Sequence, residues 1–214
     1  MIALPPALAG HRIVPVLVID DAGFAVDAAA ALAAGGIGCV EITLRTPSAL
    51  AAIAAVADAG VSVVGVGTVT TPDDVARAAD AGARFVITPG VDRDVIAACL
   101  EHGLDVLPGA ATATDVMAVL RSGLRAVKLF PADLLGGVDM ISALAGPFPD
   151  VAFVPSGGVS PLNLPVYLGH PNVPAVSGSW MANRQLLASR DVATIEQLSR
   201  EAATLASTLA STDE

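Results

Sequence analysis

The fold is decided by the stretch Val75-Ala76-Arg77-Ala78-Ala79-Asp80-Ala81-Gly82 and by the run Phe85-Val86-Ile87-Thr88 that follows it. The first part has helical character and ends at a glycine. Glycine just past a helix end supplies the left-handed backbone that closes the helix. The second part is continuously apolar, which is typical of a strand buried on both faces, as in parallel sheets. The stretch therefore predicts a helix that leads into a buried parallel strand.

The same pattern recurs along the chain at intervals of 20 to 24 residues. Residues 54–60 end at a glycine and precede the apolar run Val61-Ser62-Val63-Val64-Gly65-Val66. Seven glycines close such segments, namely Gly36, Gly60, Gly82, Gly103, Gly123, Gly146 and Gly169. Seven helix-to-strand junctions and a first strand over residues 13–19 predict eight strands, with helices in the gaps.

Eight βα units of this length predict an α/β protein with the (β/α)8 TIM barrel fold. No linker or change in composition divides the chain, so we expect residues 1–214 to form a single compact domain. Helix starts are indicated by Thr71-Pro72-Asp73-Asp74 and by Ser160-Pro161. The alternative is an open doubly wound sheet, which is disfavoured because no Gly-x-Gly-x-x-Gly motif follows the first strand. Residues 207–214 are predicted to be a frayed tail.

Composition excludes several classes of partner. The net charge is −10, and nucleic acids and anionic membranes need clustered Lys and Arg, so we expect neither. No uninterrupted apolar stretch reaches 18 residues and no signal peptide is recognisable, which predicts a cytoplasmic protein. The three histidines lack ligand spacing, so no metal site is expected. Nothing around Cys39 and Cys99 indicates a disulfide framework.

One lysine stands out, because Lys128 is the only lysine of the chain and lies inside the apolar run Ala126-Val127-Lys128-Leu129-Phe130-Pro131. Burial disfavours a charged ammonium, and a neutral amine is a nucleophile that can form an imine with a carbonyl. The alternative is a lysine at a strand end, with its stem buried and its head in solvent.

A carboxylate is predicted to face this lysine. Glu41, Thr43 and Arg45 alternate on the second strand, so they share one face, with Glu41 deepest. Lys128 lies on the sixth strand, and even strands of such a barrel share interior layers, so Glu41 and Lys128 can face each other. The pair can be a proton shuttle for imine chemistry or a structural ion pair; position alone leaves both open. Arg45 can clamp a carboxylate or be a surface arginine.

Two glycine-rich loops indicate a phosphate site. The seventh strand ends at Ser156-Gly157-Gly158 and the eighth at Gly178-Ser179-Trp180. The loops after these strands are the usual phosphate-binding place in TIM barrels, since glycine lets backbone N–H groups approach an anion. The acidic pair Asp20-Asp21 after the first strand is predicted to cap the next helix rather than to bind a metal.

These motifs, in this order, resemble the 2-keto-3-deoxy-6-phosphogluconate aldolase family, also called the 2-keto-4-hydroxyglutarate aldolase family. The similar segments run through nearly the whole chain: Gly36 to Arg45, Gly65-Val66-Gly67-Thr68, Thr88-Pro89-Gly90, Gly123 with Val127 to Ala132 and Gly136, Ser156-Gly157-Gly158, and Gly178-Ser179-Trp180. The resemblance implies a homotrimeric barrel and a class I aldolase without metal or other cofactor. Its substrate would be a phosphorylated keto-acid, cleaved to pyruvate and glyceraldehyde 3-phosphate.

The resemblance also implies roles for individual residues. Lys128 would form the imine and Glu41 would be the general acid/base. The pyruvate carboxylate would be held by Arg45 and Thr68, with Pro89 and Phe130 shaping the pocket. The phosphate would be bound by the loop residues Ser156, Gly157, Gly158 and Ser179.

Two departures from the family pattern concern substrate preference. Ser156 stands where members often have Thr, and Asp20-Asp21 is acidic where some members are basic. The context Thr43-Leu44-Arg45-Thr46 favours the gluconate-type enzyme over the related 6-phosphogalactonate aldolase. Two rival functions are that of a phosphosugar epimerase, for which the strand ends lack metal-binding histidines, and that of a non-catalytic barrel that binds phosphorylated acids.

Overall fold

The computed structural model describes residues 2–210, with side chains to residue 208. Within them the strands are β1 Ile13–Leu17, β2 Cys39–Thr43, β3 Val63–Gly67, β4 Phe85–Ile87, β5 Asp105–Leu107, β6 Gly109–Ala110, β7 Ala126–Leu129, β8 Ala152–Pro155 and β9 Val176–Gly178. The α-helices are α1 Ala25–Ala34, α2 Ala49–Ala59, α3 Pro72–Asp80, α4 Arg93–Glu101, α5 Ala113–Arg121, α6 Gly137–Ala145, α7 Leu164–Leu168, α8 Arg184–Ser189 and α9 Val192–Ala210. Short 3-10 helices are Pro6–Leu8, Ala22–Phe24, Asp133–Leu135 and Trp180–Ala182.

The strands form two parallel sheets, as the continuous apolar runs predicted. The larger sheet has the order β5-β4-β3-β2-β1-β9 and the smaller has the order β6-β7-β8. Each of the pairings is parallel. In the larger sheet the order does not reverse at β1, as it would in a doubly wound sheet, and the last strand pairs with the first.

The fifth predicted strand is present as two pieces, β5 and β6, which are separated by Pro108. Proline has no N–H to donate to a ladder, so the strand is interrupted there. The Pro108 carbonyl still accepts a hydrogen bond from the Lys128 N–H at 2.8 Å. At the other side of the smaller sheet, Ser156 forms a parallel bridge with Ser177, next to β9.

Most of the predicted helix ends are confirmed. Five of the seven glycines have positive φ, namely Gly36, Gly60, Gly82, Gly103 and Gly123. The prediction is wrong for the other two: φ is −51° at Gly146 and −79° at Gly169. In both cases the helical turn continues through the glycine, whose N–H donates to Ser142 O in the first case and to Pro165 O in the second.

One of the two predicted helix starts is confirmed. Helix α3 begins at Pro72, and Thr71 and Asp74 form a reciprocal capping box. Ser160-Pro161 does not start a helix, because the Asn163 side chain accepts the Ser160 N–H at 2.8 Å and holds a turn there. Helix α7 begins only at Leu164.

The C-terminal helix packs against the first helix. Gly35, at the end of α1, lies so close to α9 that a Cβ would come within 2.7 Å of the Glu196 carbonyl oxygen. The predicted frayed tail is wrong for residues 207–210, which belong to α9, and residues 211–214 lie outside the described part.

No helix among residues 2–210 is long and apolar enough to cross a membrane. Cys39 and Cys99 are free and buried, and burial raises the pKa of each thiol to about 12.

Candidate active site

The structure brings Glu41 and Lys128 together, although 87 residues separate them in the chain. Glu41 lies on β2 and Lys128 on β7. Lys128 Nζ is 3.3 Å from Glu41 Oε1. The Lys128 side chain is 7% exposed and the Glu41 side chain is 1% exposed. Burying either charged group alone would cost free energy, and the contact between the two groups offsets part of that cost.

Space for the Glu41 carboxylate comes from Gly67 at the end of β3. Glu41 pairs with Gly65 in register, and Thr43 pairs with Gly67. A Cβ at Gly67 would lie 2.7 Å from Glu41 Cγ and from Cδ, and closer still to Oε1. Real Cβ atoms do not approach that closely, so the glycine is required for this side chain to lie where it does. Gly67 was named from sequence only as part of the segment Gly65-Val66-Gly67-Thr68 that resembles the family.

Ser177 is a neighbour of Glu41 that sequence reasoning missed. It lies on β9, is fully buried, and its Oγ is 3.5 Å from Glu41 Oε2. The two carboxylate oxygens therefore face different partners, an amine and a hydroxyl. The available signal was the same one that singled out Lys128, namely a polar residue inside an otherwise apolar strand.

Pro89 and Phe130 lie around the lysine. Lys128 pairs in register with Gly109, and a Cβ at Gly109 would overlap the backbone of Pro89. Pro89 thus packs on the strand next to Lys128, and it is exposed. The Phe130 ring centroid is 5.4 Å from Lys128 Nζ, a distance at which the ring face attracts an ammonium.

Arg45 and Thr68 lie together beyond the ends of β2 and β3. The predicted strand alternation is therefore wrong for Arg45: β2 ends at Thr43, and the Arg45 N–H turns back to donate to the Thr43 carbonyl at 2.7 Å. Arg45 Nε donates a hydrogen bond to Thr68 Oγ1 at 3.2 Å, and Arg45 is exposed. Thr68 has a φ of +63°, which is a strained backbone conformation for a β-branched residue. Strain of this kind often marks functional sites.

The loop after β8 begins with Ser156, Gly157 and Gly158. The Ser156 side chain is buried, and its backbone is fixed: the N–H donates to Leu129 O and the carbonyl accepts from Ala132 N–H. Gly157 and Gly158 have φ of +89° and +86°, which L side chains rarely adopt. A Cβ at Gly157 would be 3.4 Å from the Phe130 ring, so this loop adjoins the surroundings of the lysine.

The second predicted phosphate loop follows β9, which adjoins β8 through the Ser156–Ser177 bridge. Ser179 is exposed and precedes the 3-10 helix Trp180–Ala182. An acidic neighbour was missed: a Cβ at Gly158 would lie 2.8 Å from Asp133 Cγ. The carboxylate of Asp133 therefore lies beside the loop that was predicted to bind an anion.

The two residues of the acidic pair, Asp20 and Asp21, have different partners. Asp21 caps the helix Ala22–Phe24 as predicted, accepting the Gly23 N–H at 2.9 Å. Hydrogen bonds from Arg190 and then from Gly23 hold the pKa of Asp21 below its usual value. Asp20 caps no helix in the described part of the chain, and its carboxylate pairs with Arg184 at 2.9 Å. Across residues 2–210, no group of three or more His, Cys, Asp or Glu side chains could hold a metal ion.

A buried lysine beside a carboxylate on a parallel α/β fold is an arrangement that can form an imine with a carbonyl substrate. Comparison with known proteins identifies the family. Residues 6–198 match the model of the KDPG and KHG aldolases. The chain belongs to this aldolase family.

Relatives span nearly the whole chain. The 2-dehydro-3-deoxy-phosphogluconate aldolase of Treponema pallidum is 44% identical over 94% of this chain and 96% of its own length. The enzyme of the same name from Pseudomonas aeruginosa is 44% identical over 89% and 87%. A crystal structure of KDPG aldolase from Legionella pneumophila, with pyruvate captured as a covalent carbinolamine intermediate, superposes with a TM-score of 0.88 at 36% identity, covering 92% of this chain and 96% of the other.

Proposed function

We propose that this chain is a class I aldolase that reversibly cleaves 2-keto-3-deoxy-6-phosphogluconate to pyruvate and glyceraldehyde 3-phosphate, and that also acts on 2-keto-4-hydroxyglutarate. The observation that carries the proposal is the buried contact between Lys128 Nζ and Glu41 Oε1 at 3.3 Å. The pyruvate carbinolamine in the Legionella relative supports the same chemistry.

The fold proposed for this activity is a single domain built on a closed (β/α)8 barrel. Three observations support closure: β9 pairs with β1, Ser156 bridges to Ser177, and Pro108 alone separates β5 from β6. Counting β5 and β6 as one strand gives eight strands around the ring. The glycine-rich loops and Lys128 then share the carboxyl-terminal face, where TIM-barrel active sites lie.

The first half of the proposed reaction attaches the substrate to Lys128. Its neutral amine attacks the C2 ketone, and the carbonyl π pair moves to oxygen to give a carbinolamine. Glu41, within reach of Nζ, carries protons so that the C2 oxygen leaves as water and an iminium remains. A buried site suits this step because it provides few competing water molecules.

The second half breaks and remakes bonds at C3. Glu41 accepts the proton of the C4 hydroxyl, the freed electron pair on that oxygen forms the C4=O bond, the C3–C4 electron pair forms the C2=C3 bond of an enamine, and the iminium nitrogen accepts the C=N π pair. The aldehyde then leaves. Glu41 returns a proton to C3, which regenerates the iminium, and water hydrolyses it to pyruvate and free Lys128.

The outer residues are proposed to hold the two charged ends of the substrate. Arg45 offers a guanidinium to the pyruvate carboxylate, and the Thr68 hydroxyl, 3.2 Å from Arg45 Nε, lies beside it. Pro89 and Phe130 shape the pocket around the pyruvyl carbons. The phosphate would be bound by the backbone at Gly157 and Gly158 and by the Ser156 and Ser179 hydroxyls.

We further propose a homotrimer in the cytoplasm, as the family resemblance and the sequence predict. Leu134 and Leu162 are 86% and 93% exposed, and such side chains are suited to a subunit contact.

The experiment that tests the activity is borohydride trapping with pyruvate, followed by intact and peptide mass spectrometry. Lys128 carries the only side-chain amine, so the α-amino group is the one competing primary amine. We expect a reduced pyruvate adduct on Lys128, together with pyruvate release from the phosphorylated keto-acid. The variant Lys128→Met, which preserves side-chain length, should form no adduct and show no turnover while it retains a cooperative thermal transition.

The rival functions predict different results. A non-catalytic phosphorylated-acid binder would bind substrate without forming an adduct or releasing pyruvate. A 6-phosphogalactonate aldolase would form the adduct but would prefer the C4 epimer when both substrates are compared.

A further inference from the structure

We propose that Ser177 is a positioning residue for Glu41, holding the carboxylate in the orientation that transfers a proton at C3. The inference rests on the proposed function, because it needs Glu41 to be the proton carrier. Ser177 was not among the residues that the sequence or the family resemblance assigned to the site.

The backbone fixes where the Ser177 side chain lies. Ser177 pairs with Val14 of β1 on one side and bridges to Ser156 on the other. It is fully buried, and its Oγ is 3.5 Å from Glu41 Oε2. A serine held on both sides by parallel strands has little freedom beyond rotation of its own hydroxyl.

The Ser177 hydroxyl has one partner for its proton within residues 2–210, and that partner is Glu41. A buried hydroxyl without a hydrogen bond is costly, so the O–H donates to Oε2. The distance of 3.5 Å is at the outer limit of a hydrogen bond. Catalytic hydrogen bonds are often long in ligand-free enzymes and shorten when substrate binds.

Three groups together confine the carboxylate. Lys128 Nζ contacts Oε1, Ser177 Oγ contacts Oε2, and the backbone at Gly67 closes the remaining side. When Lys128 forms the iminium, its nitrogen becomes bonded to C2 of the substrate and keeps a single N–H, so it is no longer free to follow the carboxylate. During that phase Ser177 is the protein donor that keeps one oxygen fixed, so the other points at C3.

The expected consequence of losing this hydroxyl is a slower proton transfer with unchanged binding. Pyruvate in D2O isolates this step, because its methyl protons exchange without any carbon–carbon bond breaking. Glu41 takes a proton from C3 of the iminium, the C–H pair forms the C2=C3 bond, and the nitrogen accepts the C=N π pair. Reversal with a deuterated carboxyl group delivers a deuteron to C3.

The test compares three variants by proton NMR of this exchange and by borohydride trapping at equilibrium. Ser177→Ala should slow exchange by about tenfold or more, the effect of losing one hydrogen bond to a charged group, with the trapped fraction and the KM for pyruvate unchanged. Ser177→Thr keeps the hydroxyl and should retain more of the exchange rate than Ser177→Ala. Ser199→Ala, which removes another fully buried hydroxyl that donates to the Ile195 carbonyl, should exchange at the wild-type rate.

The outcomes separate this inference from the proposed function. If wild-type protein forms no adduct and exchanges no protons, the aldolase proposal itself fails. If wild-type protein is active and Ser177→Ala exchanges equally fast, Ser177 does not position Glu41. A parallel loss of trapping, exchange and thermal stability in Ser177→Ala would make the serine merely structural, which also overturns the inference.

Discussion

The inner and outer parts of the site differ in their exposure to solvent. The floor is defined as Glu41, Lys128 and Ser177, and all three residues are buried. The rim, defined as Arg45, Thr68, Pro89, Gly158 and Ser179, is half-buried or exposed. One stretch of chain leads from one to the other: Glu41 lies on β2, which ends at Thr43, and Arg45 follows in the turn after it.

The difference in exposure matches two different tasks, which are proton transfer in the floor and recognition of charged groups at the rim. Groups that transfer protons and electrons work best in a dry, fixed environment, where electrostatic interactions are strong and competing water is excluded. Groups that recognise the carboxylate and phosphate must meet those anions as they arrive from water. Changes in the floor should therefore lower kcat, whereas changes in the rim should mainly raise KM.

Among changes that leave Glu41, Lys128 and Ser177 themselves in place, the largest effect is expected when the floor is crowded by Gly67→Ala. The added Cβ would lie 2.7 Å from Glu41 Cδ, so the carboxylate must leave its place between Lys128 and Ser177. We expect kcat to fall by about 100-fold or more, the usual contribution of general acid/base catalysis. Overpacking should also lower the free energy of unfolding by about 1–3 kcal/mol. Steady-state kinetics and urea denaturation measure the two effects.

A matched glycine distinguishes crowding of the site from a general effect of the substitution. Gly146 has helical φ, and apart from its chain neighbours the nearest contact of a Cβ there would be the Ala143 carbonyl oxygen at 3.6 Å. Gly146→Ala should therefore keep full activity. Wild-type kcat in Gly67→Ala would mean that the position of the Glu41 carboxylate does not matter for turnover.

An intermediate effect is expected at the rim for Arg45→Ala. The guanidinium is exposed and, among the described residues, makes one hydrogen bond, to Thr68, so its loss should leave the stability nearly unchanged. Loss of a charged hydrogen bond to the pyruvate carboxylate should raise KM by about 10- to 100-fold with a smaller change in kcat. Arg77→Ala, another exposed arginine that pairs with Asp73 and Asp74, is the control. A fall in kcat alone would place Arg45 among the floor groups.

How well the sequence predicted the fold differs between elements. The repeated glycines and apolar runs predicted the parallel strands, because local backbone preference and burial act in the same direction there. Two glycines were assigned wrongly, since Gly146 and Gly169 can adopt helical φ as well as positive φ. Pro108 divides the fifth strand but does not end its pairing, because the Pro108 carbonyl accepts a hydrogen bond from the Lys128 N–H on the adjacent strand. The local sequence around Pro108 does not reveal this partner.

The site shows a similar limit. Period-two alternation and strand order were enough to place Glu41 opposite Lys128. Ser177 was missed because its significance depends on a contact with Glu41, 136 residues away. Asp133 was missed for the same reason: its carboxylate meets Gly158 only through the folding of two separate loops. Chemistry that depends on one unusual residue is visible in sequence, and chemistry that depends on a third neighbour is not.

The smallest effect is expected for Thr68→Gly at the rim. Here the free energy of unfolding and the activity should change in opposite directions. Thr68 has a φ of +63°, a conformation that glycine adopts freely. Relief of this strain should raise the free energy of unfolding by about 1 kcal/mol, or roughly 2–4 °C in melting temperature for a chain of this size. Loss of the hydroxyl beside Arg45 should lower kcat/KM by less than about tenfold.

Two further variants separate backbone strain from the hydroxyl. Thr68→Ala keeps the unfavourable φ and removes only the side-chain contact, so it should lose the same activity without the gain in stability. Arg190, with φ of +52°, is the other non-glycine residue with positive φ in the described part of the chain, and it pairs with Asp21 outside the floor and rim. Arg190→Gly should therefore leave turnover unchanged. If Thr68→Gly were instead less stable than Thr68→Ala, the backbone at this position would not be strained, and the threonine would belong to the rim for its hydroxyl alone.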